Sequence, residues 1–305
     1  MSAEKTILHI ESAAGLQLSC CPAAGGSITA FRQKGFDLFR PYDAALPLAP
    51  LNTASFPLTP YSNRIINGKL AFNGETYTVG PVHVAEGHQL HGDGWLRPWQ
   101  VTAHSTRHVA LLLPEVKAAD SPYIYEAEQI YSLADNRLTI EMSITNRSGF
   151  ALPFGLGHHP YFVRDDDTVL TANLPQVWHS KNIVPTVLAD SPWNFAQGLA
   201  LADKNFQPAA QGVTGSDLVD NCFQGWDRRA EIRWPRHGRK LVMGADAIFR
   251  NFVLYLPEEK PFFCAEAVTN INDGFNLMAR GAANTGTIVL QHGETLAGAM
   301  WFDAA

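Results

Sequence analysis

Alternation of apolar and polar side chains with a period of two is the strongest pattern in this sequence. Across residues 138–145 every second residue is apolar, and residues 123–131 repeat aromatic and apolar side chains at the same spacing. This spacing places the apolar side chains on one face of an extended strand. Shorter runs of strand-forming residues occupy residues 77–79, 109–113, 252–256 and 287–290. The pattern predicts an all-β protein.

The sequence shows no long segment with the 3.6-residue period of an amphipathic helix, and only residues 190–202 are expected to hold a short helix. The 24 Gly and 19 Pro residues bound most of the strand-like runs as turns. Strands do not alternate with helices, no linker-like change of composition occurs, and no fixed repeat is present. We therefore expect residues 1–305 to form a single domain, a large antiparallel β-sandwich.

Charge and hydropathy exclude several classes of protein. Of the 305 residues 46% are hydrophobic, and 29 acidic against 23 basic residues give a net charge of -6. This balance argues against nucleic acid or an anionic membrane as a partner. No apolar stretch reaches the roughly 20 residues of a membrane span, and the first residues lack the apolar core of a secretory signal. The expected location is cytoplasmic, with the four cysteines as reduced, buried thiols.

Polar residues of catalytic type are concentrated in a few short segments. Arg64 lies in a Pro-led turn, where its guanidinium would either bind hydroxyl groups or tie down the loop. His91 precedes Gly92, which allows close approach of a ligand to the backbone. His88 and His91 lack a Cys or Glu partner at a standard zinc spacing, so the segment predicts no metal site.

A histidine and a glutamate are the candidates for proton transfer. His159 lies in a glycine-rich and aromatic segment, and because His158 would point to the opposite face of a strand, only one of the two is expected in a given pocket. Glu266 is the one charged residue in an apolar run. It is either a structural carboxylate paired with an arginine or a general base.

Taken together, these segments resemble the aldose 1-epimerase (galactose mutarotase) family. The motifs that carry the resemblance, in the family's order, are Asn63-Arg64, Leu90-His91-Gly92, His159-Pro160-Tyr161-Phe162, the Asp220-containing segment 218–223, and Cys264-Ala265-Glu266. The resemblance implies a galactose mutarotase-like supersandwich in which Glu266 is the catalytic base and His159 the catalytic acid. It also implies that Arg64, His91 and Asp220 bind the sugar substrate. Asp93, His158 and Pro160 depart from the family's usual residues and indicate a divergent subgroup.

The activity that the resemblance implies is interconversion of the α and β anomers of an aldose. A base removes the proton of the C1 hydroxyl while an acid on the other side of the hemiacetal protonates the ring oxygen. No cofactor, metal, nucleic acid or membrane is needed, and the oligomeric state, monomer or homodimer, is left open. The rate is expected to fall at acidic pH as Glu266 gains a proton and at alkaline pH as His159 loses one.

Three alternatives remain open from the sequence. The substrate could be a phosphorylated hexose, with Arg97 as a candidate phosphate ligand. The protein could be a carbohydrate-binding protein without catalytic activity, because a fold does not determine a function. A metal-dependent hydrolase using His88, His91, His158 and His159 is the third.

Overall fold

Strands account for most of the secondary structure in the computed structural model, which describes residues 6–80, 84–85, 87–117, 120–181, 184–202 and 217–305. In chain order the strands are β1 (Leu8–Glu11), β2 (Leu16–Cys21), β3 (Ser27–Gln33), β4 (Phe36–Asp37), β5 (Pro57–Leu58), β6 (Arg64–Ile65), β7 (Lys69–Phe72), β8 (Glu75–Thr78), β9 (Val84–Ala85), β10 (His88–Leu90), β11 (Gln100–His104), β12 (His108–Lys117), β13 (Ile124–Ala134), β14 (Arg137–Asn146), β15 (Leu152–Phe154), β16 (Gly157–His158), β17 (Tyr161–Val163), β18 (Val169–Ala172), β19 (Gln176–Lys181), β20 (Val184–Asp190), β21 (Leu199–Ala200), β22 (Asp217–Gln224), β23 (Arg229–Trp234), β24 (Arg239–Ala245), β25 (Asn251–Pro257), β26 (Phe262–Val268), β27 (Ile288–Leu290) and β28 (Thr295–Ala304).

The larger of two main sheets has nine strands in the order β11-β12-β13-β14-β28-β24-β23-β18-β21. Its pairings are antiparallel, and β28, near the end of the chain, lies between β14 and β24. The alternation predicted over residues 138–145 is confirmed, since Leu138, Ile140, Met142 and Ile144 are all at most 3% exposed. These side chains form the inner face of the sheet.

The second main sheet has β20-β19-β22-β25-β26-β16-β5 in order, with β17 also paired to β26. One face of its central strands contributes Phe252, Leu254, Phe263 and Ala265 to the same hydrophobic core as the nine-stranded sheet. Because side chains alternate along a strand, Val253 and Cys264 point to the other face, where they belong to a separate hydrophobic cluster. Both faces of these strands are therefore buried. The two sheets thus pack as the predicted antiparallel sandwich.

Smaller elements complete the architecture. Among the described residues they are a sheet of β1-β2-β3-β4, a sheet of β6-β10-β9, the pairs β7-β8 and β15-β27, and one short helix, α1 (Gly274–Ala279). Single 3₁₀ turns occur at Pro50–Asn52, Ile66–Gly68, Gly94–Leu96, Phe195–Gln197 and Pro235–His237. No helix in the described residues is long and apolar enough to cross a membrane.

The helix expected within residues 190–202 is wrong. Strand β20 runs to Asp190, one 3₁₀ turn follows at Phe195–Gln197, and β21 begins at Leu199. Pro192 restricts the start of this segment, and Gly198 adopts a positive φ of 79° that ends the turn. A continuous α-helix is therefore not available to these residues.

Candidate active site

The outer face of the eight-stranded sheet carries the candidate site. On β26 the side chains of Phe263, Ala265 and Ala267 point into the main core, so Cys264 and Glu266 lie on the opposite face. Glu266 is 2% exposed. The alternation of β26 therefore places a carboxylate in an apolar surrounding next to the aromatic cluster of that face.

Strand β17 brings His159 to this carboxylate. Tyr161 pairs with Cys264, and the backbone N–H of His159 donates to the carbonyl of Phe56. In this position His159 Nε2 lies 3.4 Å from Glu266 Oε1. The structure thus places the predicted acid and the predicted base in contact, although they lie in distant segments of the chain.

The two adjacent histidines point in opposite directions. The imidazole of His158 hydrogen-bonds to Ser55 Oγ and lies 3.3 Å from the hydroxyl of Tyr131, away from the candidate site. Burial lowers the pKa of His158 to about 3, so it is neutral and structural at ordinary pH. His158 is therefore separated from His159, and the four-histidine metal site is not formed.

Aromatic rings surround the imidazole of His159. Phe56 stacks on it at 4.7 Å between ring centroids, Tyr161 lies at 4.8 Å, and His91 meets it edge-on at 5.4 Å. These contacts hold the ring in one orientation and exclude water from it. The second ring nitrogen, Nδ1, is buried and has no hydrogen-bond partner in the described residues.

Burial shifts the pKa values of Glu266 and His159 in opposite directions. It raises the pKa of Glu266 well above its ordinary value, and the nearby carboxylate of Asp220 adds to this while Arg64 opposes it. It lowers the pKa of His159 to about 3, and the positive charges of Arg40 and Arg64 contribute to that decrease. Both shifts favour uncharged forms, so a single shared proton resides on Glu266.

His91 is held by two hydrogen bonds with one neighbouring residue. Its backbone N–H donates to the carbonyl of Asn63 at 2.8 Å, and the N–H of Asn63 donates to His91 Nδ1 at 3.0 Å. Because Nδ1 accepts a hydrogen bond, the neutral imidazole must carry its own hydrogen on Nε2. His91 therefore presents Nε2 as a hydrogen-bond donor.

Arg64 and Asp220 form a charged pair beside the acid and base. Arg64 Nη2 lies 3.8 Å from Asp220 Oδ2, and their side chains are 12% and 28% exposed. Both groups act on the pKa of Glu266, which places them in the same site. The structure thus brings all five residues selected from the sequence into one region.

Arg40 and Phe56 also lie at this site and were not predicted from the sequence. The guanidinium of Arg40 lies 3.9 Å from the ring centroid of Tyr161 and 4.7 Å from that of Phe262. Neither residue belongs to a polar motif, so no local signal could have identified them. Trp95 belongs to the core, where it is 1% exposed and stacks on Phe56.

Arg97 has a structural role. Its side chain is bound to Asp93 Oδ2 at 2.6 Å, and Tyr125 donates to the other Asp93 oxygen at 2.6 Å. Asp93, one of the departures from the family pattern, is 3% exposed. The charge of Arg97 is thus neutralised by a buried carboxylate, which counts against the sequence-based hypothesis that it binds a phosphate.

One group of potential metal ligands lies in the site. His159, Cys264 and Glu266 have ligand atoms within 4.8 Å of one another. His88 is not part of this group, since its Nδ1 accepts the N–H of Asn67 at 3.1 Å. Burial raises the pKa of the Cys264 thiol well above its ordinary value, so the thiolate that a metal or a nucleophilic role requires is disfavoured.

Comparison with known proteins identifies similar sequences and structures. The family model described as aldose 1-epimerase matches residues 7–303. The uncharacterised protein YphB of Escherichia coli K12 is 28% identical over 259 residues, which cover 82% of this chain and 83% of YphB.

Two solved structures illustrate the likeness of fold. A GalM/aldose epimerase homologue from C. elegans has a TM-score of 0.83 at 17% identity, covering 99% of both chains. The galactose 1-epimerase of Lactobacillus acidophilus NCFM has a TM-score of 0.79 at 14% identity, covering 100% of this chain and 97% of that one. The galactose mutarotase-like fold predicted from the sequence is thereby confirmed.

Proposed function

The chain belongs to the aldose 1-epimerase family, and we propose that it interconverts the α and β anomers of an aldose by acid–base opening of the sugar ring. The observation that carries this proposal is the 3.4 Å contact between His159 Nε2 and Glu266 Oε1. The two hemiacetal oxygens are bonded to the same carbon, so a base for one and an acid for the other must lie close together. A buried acid and base in contact meet that requirement.

Ring opening begins once the shared proton has passed from Glu266 to His159 across their 3.4 Å contact, and it then moves one proton to the protein and one proton from it. Glu266 takes the proton of the C1 hydroxyl, the bond between C1 and the ring oxygen breaks as a carbonyl forms, and His159 gives its proton to the ring oxygen. Rotation about the C1–C2 bond then presents the other face of the carbonyl. In reclosure His159 removes the proton from the same hydroxyl and Glu266 returns one to the carbonyl oxygen, which restores both residues.

The environment of the pair suits this cycle. After ring opening Glu266 is protonated and His159 is neutral, and these are the forms that burial favours. A carboxylate whose pKa is raised is a stronger base, and an imidazolium whose pKa is lowered is a stronger acid. A bound hemiacetal would replace the contact between the two side chains with one contact to each oxygen.

The neighbouring polar residues supply complementary hydrogen-bonding groups for a sugar. His91 offers an Nε2 donor, Arg64 a fork of donors, and the carboxylate of Asp220 accepts from hydroxyl groups. A carboxylate can accept two hydroxyl hydrogens at once, which favours a vicinal diol of the ring. We assign sugar binding to these three residues within the proposal.

A second candidate function is mutarotation of an anionic sugar. Arg40 rests on the rings of Tyr161 and Phe262 and donates through Nη2 to the carbonyls of Leu51 and Thr53. No ion pair of Arg40 occurs within the described part of the chain, so its guanidinium is able to pair with an anionic group of a ligand. A phosphate or carboxylate substituent on the sugar would supply such a group.

Polarimetry of freshly dissolved anomers tests the proposal. The panel comprises D-glucose, D-galactose, D-glucuronate and D-glucose 6-phosphate, with spontaneous mutarotation subtracted from each rate. We expect acceleration of at least one of these sugars, and a preference for the two anionic sugars would support the second candidate. Truncating Arg64, His91 or Asp220 to Ala should raise KM for the active sugar while leaving the protein folded by circular dichroism.

Two results would overturn the assignment. If no aldose is accelerated but one binds by calorimetry, the protein is a carbohydrate-binding protein without catalytic activity. If Arg64→Ala unfolds the chain and leaves affinity unchanged in the folded fraction, Arg64 is structural.

A further inference from the structure

Side chains that follow the Glu266 strand hydrogen-bond to the backbone of the Arg64 segment. Their oxygens accept N–H groups at every second residue, in the pairs Asn270 Oδ1 with Ser62 at 3.2 Å, Asn272 Oδ1 with Arg64 at 3.0 Å, and Asp273 Oδ1 with Ile66 at 3.2 Å. This spacing of two matches the alternation of N–H groups along one edge of a strand. The side chains thus take the place of a neighbouring strand.

Further hydrogen bonds to backbone carbonyls join the same two segments, residues 270–273 and 62–66. The N–H of Asp273 donates to the carbonyl of Arg64 at 3.0 Å, and Asn270 Nδ2 donates to the carbonyl of Ser62 at 2.9 Å. The opposite edge of the segment pairs with β10, where Arg64 lies opposite Leu90. Strand β6 has only two residues, so these side-chain bonds provide much of its attachment to the eight-stranded sheet.

Asn272 occupies the junction of the elements that carry the site. Its side chain accepts the N–H of Arg64, and its backbone N–H donates to the thiol of Cys222 on β22, the strand that bears Asp220. Its own segment directly follows β26, the strand that bears Glu266. Asn272 is 8% exposed, which shields these bonds from competing water.

We propose that Asn272 is a positioning residue that sets the place of the Arg64 guanidinium relative to Asp220 and Glu266. The expected effect on KM rests on the proposed function. The expected effect on the Arg64 segment rests on the hydrogen bonds alone. Asn272 does not touch the reacting atoms. Loss of its side-chain oxygen should weaken sugar binding through Arg64 while the proton transfers between Glu266, His159 and the sugar continue.

Substitutions at Asn272 and at a matched control separate positioning from general stability. Asn146 is likewise buried, and its side chain bonds to backbone, accepting from Ser148 at 2.8 Å and donating to the carbonyl of Leu290 at 2.8 Å, but it lies at the end of β14, outside the site. Asn272→Ala should raise KM roughly tenfold, as expected for one lost buried hydrogen bond, with kcat changed less than about threefold. Asn272→Asp keeps the acceptor oxygen and should restore most of the affinity, whereas Asn146→Ala should lower the melting temperature without changing KM.

Amide hydrogen exchange gives a readout that does not depend on activity. In Asn272→Ala the amides of residues 62–66 should exchange faster than in the parent, and in Asn146→Ala they should not. Unchanged exchange, or an equal KM in the two alanine variants of an active enzyme, would overturn the inference. If the parent accelerates no aldose, the proposed function fails, and the exchange rates together with calorimetric affinity for D-galactose still decide the role of Asn272.

Discussion

At the level of single residues, the contact between Glu266 and His159 combines two groups that burial keeps uncharged. Glu266 Oε2 and His159 Nδ1 are both buried without a hydrogen-bond partner in the described residues. An unsatisfied buried polar atom costs about 1–3 kcal/mol, and a catalytic role is one of the reasons for which native proteins keep such atoms. A structural pair would be expected to satisfy both atoms, so the arrangement favours a catalytic role.

Removal of either titratable group should abolish most of the activity. Glu266→Gln keeps the shape of the side chain and removes the base, and His159→Asn removes the acid. Because a positioned acid or base contributes about 10²–10⁴-fold, each substitution should lower kcat on an active aldose by at least roughly a hundredfold, measured by polarimetry. Sugar affinity should change much less, and the double variant should be little worse than either single one.

Near-full activity of Glu266→Gln would show that the carboxyl group is not the base. Equal losses in the double and single variants would show that the two residues act as a unit, whereas multiplied losses would mean that they act in separate steps. A Glu128→Gln variant on the nine-stranded sheet serves as the control for removal of a carboxylate elsewhere.

The pH dependence of the rate should reflect the pair as a unit rather than either residue alone. The working pair holds one proton. A second proton is bound only below the lowered pKa of His159, about 3, and the working proton is lost as pH rises through the raised pKa of Glu266. We therefore expect a rate that falls on the alkaline side and stays level from neutral pH down to about pH 5, in place of the acidic fall expected from the sequence. A fall centred near the ordinary pKa of a glutamate, seen in initial rates across buffers, would contradict the buried arrangement.

At the level of elements, the loop of residues 91–97 is attached to β13 by one buried carboxylate. Asp93 accepts from the hydroxyl of Tyr125 and pairs with Arg97, both at 2.6 Å. The loop begins at His91 and Gly92, which adopt positive φ angles of 60° and 68°. A Cβ on Gly92 would lie 2.3 Å from the carbonyl oxygen of Thr59, so only glycine fits the close approach there.

Loss of this carboxylate should destabilise the protein. Asp93→Ala leaves the buried Tyr125 hydroxyl without its acceptor, and because hydrogen bonds to charged groups contribute about 1.5–3 kcal/mol each, we expect a loss of about 2–4 kcal/mol in urea unfolding. Asp303→Ala removes a carboxylate from the exposed pair with Arg137, whose side chains are 50% and 39% exposed, and should cost far less. Equal effects of the two substitutions would mean that Asp93 does not anchor the loop.

At the level of the whole molecule, we propose that residues 1–305 form one cooperative domain. One hydrophobic core runs from Ile10 to Ala304 and joins both main sheets. Strand β28 connects β14 with β24, so no cut between β11 and β28 leaves the nine-stranded sheet intact, and β5 ties the preceding part of the chain to β16 of the eight-stranded sheet. Thermal unfolding followed by circular dichroism and by tryptophan fluorescence should give coincident transitions, and two separated transitions would show independent domains.

Metal independence of the whole protein remains a prediction. The proposed reaction needs only proton transfer, and the thiol of Cys264 is disfavoured as a ligand by its raised pKa. Prolonged dialysis against a chelator should therefore change kcat by less than about twofold, a far smaller effect than loss of an acid or base. Activity lost on dialysis and restored by Zn²⁺ would instead assign a metal to His159, Cys264 and Glu266.

The strands and their buried faces were predictable from the sequence because alternation is a local property. An alternation with a period of two determines which side chains share a face, whatever packs against that face. The buried positions within residues 138–145 follow this alternation. The motifs likewise indicated the family, because each is a short run of neighbouring residues. The local pattern was misleading at residues 190–202, and it did not predict α1, whose six residues are too few to show a helical period.

Only the tertiary structure decided which candidate residues meet. The pairing of β17 with β26 brings His159 to Glu266, and the sequence alone could not provide this pairing because it joins distant segments. Burial, which sets the pKa of both groups, is likewise a property of the packed sheets and of rings such as Phe56. Arg40 and Asn272 carry no motif, and their positions follow from packing alone. The sequence determines which side chains are present. The proximity of His159 to Glu266 and the removal of both from water arise only when remote strands pack together.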